Sequence, residues 1–135
     1  MKTYTIRELS EMFDLPASTL RYYESEGLLP EVPKTPSGQR IYNTEHTVRL
    51  KCINCFKRTG MTISQLRKFF VYETDEAAHI DEILSLLKDQ EQIVQEKLVQ
   101  LQKDSAHVHH KVEHYSAIKH ALENNLPMPV WVDEE

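Results

Sequence analysis

The side chains best suited to molecular recognition lie in the stretch LPASTLRYYESEGLLP, residues 15–30. Pro16 suits the start of a helix and Gly27 suits its end, which predicts one short helix with Leu20 and Tyr23 facing a core. Four polar side chains then face solvent: Ser18, Thr19, Arg21 and Tyr22. Short hydroxyls followed by Arg and Tyr suit contacts with phosphates and base edges in the DNA major groove. The stretch therefore predicts the recognition helix of a helix-turn-helix; the alternative is a small solvated helix with a chance Arg-Tyr pair.

The proline-rich stretch that follows, residues 28–42, has the pattern of a wing. Three prolines and Gly38 exclude a helix, while Ile41 and Tyr42 favour a short strand. An extended loop that returns as a strand forms a wing, and two cations would lie at its edge, Lys34 and Arg40. The alternative is an ordinary surface hairpin.

Helices on both sides must position these two elements. TIRE, in which Thr5 and Glu8 form a capping box, predicts a first helix over Thr5–Phe13. Its core stripe is predicted to consist of Ile6, Leu9, Met12 and Phe13. Asn43 or Thr44 starts a third helix that reaches Thr59, and a second capping box, TISQ from Thr62 to Gln65, starts a fourth.

After an acidic linker at 73–79, the sequence predicts one long coiled-coil helix over residues 80–122. Apolar residues recur every seven positions at Ile80, Leu87, Val94, Leu101, Val108, Tyr115 and Leu122, with Leu84, Leu98 and Val112 at the alternate position. A helix from Ala77 to Asn124 would be roughly 70 Å long and could not bury its stripe against a small domain. It needs a partner, most simply a second copy, although a helix folded back on its own chain is the alternative. A flexible tail is predicted at 123–135.

The predicted dimer interface consists of Ile80, Leu84, Leu87, Val94, Leu98, Leu101, Val108, Val112 and Tyr115. Three histidines, His107, His110 and His114, share another face of this helix at spacings of three and four. Imidazoles four residues apart can share a transition metal, which makes the three weak metal-ligand candidates. A solvated histidine-rich face, or a response to pH, is the alternative. No cofactor is predicted.

The 135-residue chain has room for one compact domain with an appendage, and its charge is divided unevenly between the two. Lys and Arg outnumber Asp and Glu by 11 to 7 over residues 1–72, whereas acidic residues prevail by 14 to 5 over residues 73–135. The overall net charge of −5 therefore conceals a basic half, the half with the helix-turn-helix stretch.

Composition also bounds the location and the class of protein. There is no apolar run long enough to span a membrane and no secretory signal pattern, which predicts a cytoplasmic protein with no membrane partner. The two cysteines, Cys52 and Cys55, fit a reducing compartment. The sequence contains no phosphate-binding glycine loop, no nucleophile motif and no paired catalytic carboxylates, so an enzyme is not expected.

Four features follow one another along the chain: the stretch TLRYYESEGLL, a wing ending in GQRIY, a helix pair containing CFKRTGMTISQL, and one long helix. Together they resemble the MerR family of bacterial transcription regulators. The resemblance extends to about Leu122, with two departures: Gln39 stands where an aromatic is usual, and Asp14 stands where Gly is common. It implies an all-α fold: a winged helix-turn-helix DNA-binding domain with a small β wing over residues 1–72, here called the head, followed by an antiparallel coiled-coil dimerisation helix. It also implies a homodimer that reads a pseudo-palindromic promoter operator and distorts it for RNA polymerase.

The same resemblance transfers DNA-binding roles to individual residues. Arg21 and Tyr22 match the recognition helix, Arg40 matches the wing, and Lys57 matches the end of the third helix. Ser18, Lys34 and Tyr42 are second-rank candidates.

For the signal, metal-sensing members of the family carry cysteines in and after the long helix, and this chain has none beyond Cys55. INCFKRTGM instead resembles the AdhR- and NmlR-like branch, which is associated with aldehydes and other thiol-reactive electrophiles. Cys55 matches the proposed sensor of that branch, and the charges of Lys57 and Arg58 would favour its thiolate. A small buried hydrophobe is the alternative for Cys55. The alternatives for the whole chain are an effector-independent architectural DNA-binding protein, or a regulator that responds to a metal or small molecule.

Overall fold

A computed structural model describes residues 2–133 of the chain. Over that range the chain forms five helices and one two-stranded sheet: β1 (Thr3–Tyr4), α1 (Ile6–Phe13), α2 (Ala17–Ser25), β2 (Tyr42–Asn43), α3 (Thr44–Arg58), α4 (Ile63–Glu73) and α5 (Ile80–Glu123). The predicted fold class, helical with very little strand and one long final helix, is confirmed. Residue 1 of the predicted head and residues 134–135 of the predicted tail lie outside the described range.

Side-chain caps start three of these helices where the sequence predicts them. In the first capping box Glu8 N donates to Thr5 Oγ1 at 3.1 Å, and Thr5 N donates to Glu8 Oε1 at 3.1 Å. Thr62 and Gln65 exchange the same pair of bonds at the start of α4. At α3 the N-cap is Asn43, which decides between the two predicted positions. Each cap is worth about 1 kcal/mol of helix stability.

The strand predicted at Ile41–Tyr42 begins one residue later, as β2. The backbone N–H of Ile41 donates to Pro33 O at 2.8 Å, so Ile41 belongs to the wing rather than to the sheet. β2 pairs antiparallel with β1, and Tyr42 lies opposite Tyr4. The sequence did not predict β1, because two residues carry no measurable periodicity.

One compact unit extends from the start of the chain to Gln90 and therefore continues beyond the predicted head, 1–72. Its core combines α1, α2, the wing base, α3, α4 and the first turn of α5: Leu9, Leu20, Tyr23, Leu28, Leu29, Val32, Tyr42, Leu50, Ile53, Met61, Leu66, Phe69, Phe70 and Ile83. Residues 74–79, within the predicted linker, form consecutive turns between α4 and α5.

The start of α5 packs on this core through residues at helical spacing. Ile83 and Gln90 are buried, and Leu86 and Leu87 pack beside them, which is the i, i+3, i+4, i+7 pattern of one helix face. The Gln90 amide donates to both the backbone and the hydroxyl oxygen of Thr59 at 2.9 Å. Leu87, a predicted dimer contact, is therefore half-buried against the head of its own chain.

The stripe predicted for α1 needs one correction as well. Leu9 is fully buried, and Ile6 and Phe13 are half-buried against the core, but Met12 is 53% exposed. Adjacent residues are separated by about 100° around a helix, so a helix of eight residues that turns Phe13 inward turns Met12 outward.

The second unit contains residues from Glu91 onward, namely the later turns of α5 and the segment after it. α5 ends at Glu123, and Asn125 adopts a left-handed conformation (φ 55°) that turns the chain away from the helix axis. None of the helices in the described range combines the length and apolar character that crossing a lipid bilayer requires.

Trp131, in the predicted flexible tail, packs on the histidine face of α5. Its ring centroid lies 4.5 Å from that of His110 and 4.8 Å from that of His114. The Lys111 ammonium lies 3.9 Å from the ring centroid, a cation–π contact. His110 Nε2 also lies 2.6 Å from the carbonyl oxygen of Val132, so both the ring and the backbone of the tail contact α5.

Because Trp131 is the single tryptophan, its fluorescence reports this contact directly. We expect His110→Ala to shift Trp131 emission to longer wavelength and to increase quenching by acrylamide, since the indole loses its neighbouring ring. His109→Ala is the matched control, because that side chain is exposed and pairs with Glu113 instead. Emission from the native chain as accessible as that of free indole would contradict the docking of Trp131.

Candidate nucleic-acid interface

α2 presents the polar face that the sequence predicts for a recognition helix. Leu20 and Tyr23 are buried, while three predicted DNA-contacting side chains are exposed: Ser18, Arg21 and Tyr22. Thr19 is half-buried. A guanidinium, a phenol and a hydroxyl group are thereby available to phosphates and base edges.

The turn before α2 tolerates Asp14 at the position where the resemblance led us to expect glycine. Asp14 has a left-handed backbone conformation (φ 52°), which Asp adopts more readily than most other L residues. Leu15 N donates to Ser10 O at 3.1 Å, and the Ser10 hydroxyl donates back to the Leu15 carbonyl. The helix-turn-helix is therefore complete despite this departure.

The end of α2 is closed by Gly27, which directs the chain toward the wing. Gly27 has φ +74°, and the next backbone N–H, that of Leu28, donates to Tyr23 O at 3.0 Å. A residue with a Cβ atom would be strained at this φ.

The wing is a tight hairpin whose edge carries the predicted cations. Gly38 N donates to Thr35 O at 2.9 Å to close a turn, and Thr35 N donates to Gln39 O at 2.7 Å. Lys34 and Arg40 face each other across the hairpin as an antiparallel bridge. Lys34 is exposed, whereas Arg40 turns toward α2 and bonds Glu24 through Nε at 2.7 Å.

The second-rank prediction that Tyr42 contacts DNA is corrected, because its side chain is fully buried. Its ring packs edge-on against His46 with the centroids 5.4 Å apart. Burial is the main cause that raises the pKa of Tyr42, and the Glu24 carboxylate adds to it. Its hydroxyl has no hydrogen-bond partner among the residues that the structure describes. The Tyr42 ring therefore belongs to the core rather than to the DNA-facing surface.

His46, which the sequence analysis missed, connects α3 to the base of the wing. It is 1% exposed, and its Nδ1 accepts the backbone N–H of Asn43 at 3.0 Å. The proton must then be on Nε2, which lies 3.2 Å from Pro30 O and 3.1 Å from Glu31 O. The sequence could have indicated this role, because His46 lies three residues after Asn43, the position at which Glu or Gln completes most capping boxes.

The end of α3 carries the remaining candidates. Lys57 and Cys55 are exposed, whereas Cys52 is half-buried in a cleft of about 470 Å³ between α3 and α4. Burial, followed by the Glu73 charge, raises the pKa of the Cys52 thiol. Cys55 is therefore the more accessible of the two sulfurs.

The structure does not bring the three candidate metal ligands together. Within residues 2–133 no three His, Cys, Asp or Glu side chains are arranged to hold a metal ion, and this includes His107, His110 and His114. His110 and His114 pack on Trp131 instead.

Comparisons with known proteins agree with this architecture. The family model described as "MerR HTH family regulatory protein" matches residues 4–73. An HTH-type transcriptional regulator of Haemophilus influenzae is 30% identical over 117 residues, 87% of each chain. The regulator AdhR of Bacillus subtilis is 32% identical over 87 residues, 64% of this chain and 62% of AdhR.

Among solved structures, the crystal structure of HiNmlR, a MerR family regulator lacking the sensor domain, bound to promoter DNA, is 30% identical with a TM-score of 0.77. The match covers 87% of this chain and 94% of HiNmlR. These matches confirm the predicted family, whose members are regulators rather than enzymes. The chain belongs to the MerR helix-turn-helix family of DNA-binding transcription regulators.

Proposed function

We propose that the protein binds a pseudo-palindromic promoter operator as a homodimer and distorts it. The observation that carries this proposal is the similarity, over most of both chains, to HiNmlR bound to promoter DNA. The distortion gives RNA polymerase access to both promoter elements, so the partners are duplex DNA, a second copy and, indirectly, the polymerase. Such a protein acts in the cytoplasm.

The exposure of these side chains supports the DNA contacts that we propose. Arg21 and Tyr22 read the major groove from α2, because both project from the solvent face of a helix whose other face is core. Arg40 and Lys34 contact the backbone from the wing, and Ser18 and Lys57 contribute further phosphate contacts. Tyr42 has no such role, since it is buried.

The exposed apolar stripe of α5 supports dimerisation. Leu101, Tyr115 and Leu122 are each more than 60% exposed, and several other seam residues are about half exposed: Ile80, Leu84, Leu98, Val108 and Val112. Burying large apolar side chains is favourable by about 1.5–3 kcal/mol each, which a second α5 would supply along its length. An antiparallel pair of such helices has the two-fold symmetry that a pseudo-palindrome requires.

The signal we propose is an electrophile that reacts with Cys55. Cys55 is an exposed residue, whereas Cys52 is half-buried and its burial favours the unreactive thiol. With an aldehyde, the Cys55 sulfur adds to the carbonyl carbon and the thiol proton passes to the carbonyl oxygen, so no further reagent is needed.

Transcription in vitro from the promoter upstream of the protein's own gene, with and without formaldehyde, tests this proposal. We expect formaldehyde to change transcription at least about fivefold with the native chain and with Cys52→Ser, but not with Cys55→Ser. All three proteins should bind the promoter equally well without formaldehyde, since we propose no DNA contact for either thiol.

Equal responses of the native chain and Cys55→Ser would remove Cys55 as the sensor. Promoter binding with no response from any of the three would favour an effector-independent architectural protein. A native chain that does not bind promoter DNA would overturn the proposed function as a whole.

A further inference from the structure

Glu24 is an acidic residue on the helix that we propose to face DNA. It lies one turn after Arg21 on α2, and its side chain is 25% exposed. A free carboxylate there would repel phosphates a few ångströms away. A negative charge at such a position therefore needs a structural reason.

The reason is its bond to the wing. Arg40 Nε donates to Glu24 Oε2 at 2.7 Å, and this ion pair joins positions 16 residues apart in the sequence. The hydrogen bond to Glu24 is the main cause that raises the pKa of Arg40. A guanidinium has five N–H groups, and a bond through Nε leaves the four on its terminal nitrogens outside that bond.

The surroundings of the pair restrict its movement. Tyr42 is fully buried, and its hydroxyl interacts electrostatically with Glu24, Arg40 and Arg21. Both partners are about three-quarters buried, so solvent competes with this pair less than with an exposed one. The pair thus fixes the direction of the Arg40 side chain relative to α2.

We propose that Glu24 is a positioning residue that holds Arg40 for a contact with the DNA phosphate backbone. This inference rests on the proposed function. Holding the wing arginine before DNA arrives reduces the side-chain entropy lost on binding. Specific affinity then depends on Glu24 although its own charge opposes DNA.

The proposal and simple electrostatics predict effects of opposite sign. Removing a negative charge from a DNA-binding surface would strengthen binding if Glu24 acted through its charge alone. If Glu24 positions Arg40, its removal weakens binding, because the free arginine no longer points toward the backbone.

The chain offers a matched control in Glu26, two residues further along. Its carboxylate pairs with Arg67 of α4, and its side chain is 30% exposed, close to the value for Glu24. Glu26→Ala therefore removes the same charge and one ion pair just after α2, and leaves the bond between Glu24 and Arg40 in place.

The test measures operator affinity of the full chain by fluorescence anisotropy over a range of salt concentrations. We expect Glu24→Ala to weaken binding about tenfold and to make the salt slope less steep by about one per head, the signature of one lost phosphate contact. Glu24→Gln, whose amide oxygen still accepts from Arg40 Nε, should recover most of the affinity. Glu26→Ala should bind as tightly as the native chain or more tightly.

The decisive readout is the coupling between the two residues. Arg40→Ala should weaken binding about tenfold in the native chain but less than about twofold in the Glu24→Ala background. Equal losses in both backgrounds, or tighter binding by Glu24→Ala, would overturn the positioning role. The proposed function would still stand as long as the native chain binds the operator. No binding by the native chain would overturn both. If circular dichroism shows that Glu24→Ala is unfolded, the operator affinity and the salt slope of Glu24→Gln decide instead. The proposal requires both to be near the native values.

Discussion

Replacing His46 with alanine is expected to lower the free energy of unfolding by about 2–4 kcal/mol. The imidazole is buried and bonds the backbone N–H of Asn43 on one side and the carbonyls of Pro30 and Glu31 on the other. Alanine leaves these groups without their partner and opens a cavity against the Tyr42 ring. The loss should lower the urea midpoint of the full chain, followed by circular dichroism at fixed protein concentration.

His109→Ala is the control for that measurement. Its side chain is exposed on α5, so its effect should stay within about 0.5 kcal/mol. Equal midpoints for His46→Ala and His109→Ala would show that the imidazole does not connect the wing base to α3.

Arg21→Ala is expected to weaken operator binding at least about thirtyfold. We propose that Arg21 reads the major groove, a contact worth about 1–3 kcal/mol, and the proposed homodimer loses this contact from both of its heads. Arg21 is exposed, and its side chain is not needed for the core, so the folded state should keep its thermal midpoint. Affinity is measured by anisotropy with the operator and with a scrambled duplex of equal length.

Lys103→Ala removes the same unit of charge from an exposed position on α5 and serves as the control. Its operator affinity should stay within about twofold of the native value, since the residue lies outside the head. A loss with Arg21→Ala that is equal for operator and scrambled duplexes would reduce Arg21 to a general phosphate contact and contradict base reading.

The local features of the fold could be predicted because they depend on residues that lie close together in the sequence. The capping boxes of Thr5 and Thr62 hold their partners three residues away, and both form as expected. Gly27, at the end of α2, has the left-handed conformation that its position implied. The seven-residue period identified α5 without any tertiary information.

Features that depend on distant partners could not be predicted in the same way. A heptad pattern gives the apolar positions of α5 but not their partner, and the first turns use Ile83 and Leu87 for the head. The bond between Glu24 and Arg40 spans 16 residues with no periodic signal. The resemblance to the family implied a DNA contact for Tyr42, and the type of a strand residue alone does not reveal that its side chain is buried.

The most direct test of the central claim is native mass spectrometry of the full chain, alone and with a duplex from the promoter upstream of its gene. We predict a dimer alone and a complex of two chains on one duplex, because we propose that the exposed α5 stripe pairs two copies and that each head reads half of the operator. A chain that stays monomeric alone and on DNA, or that leaves the duplex unbound, would contradict the account.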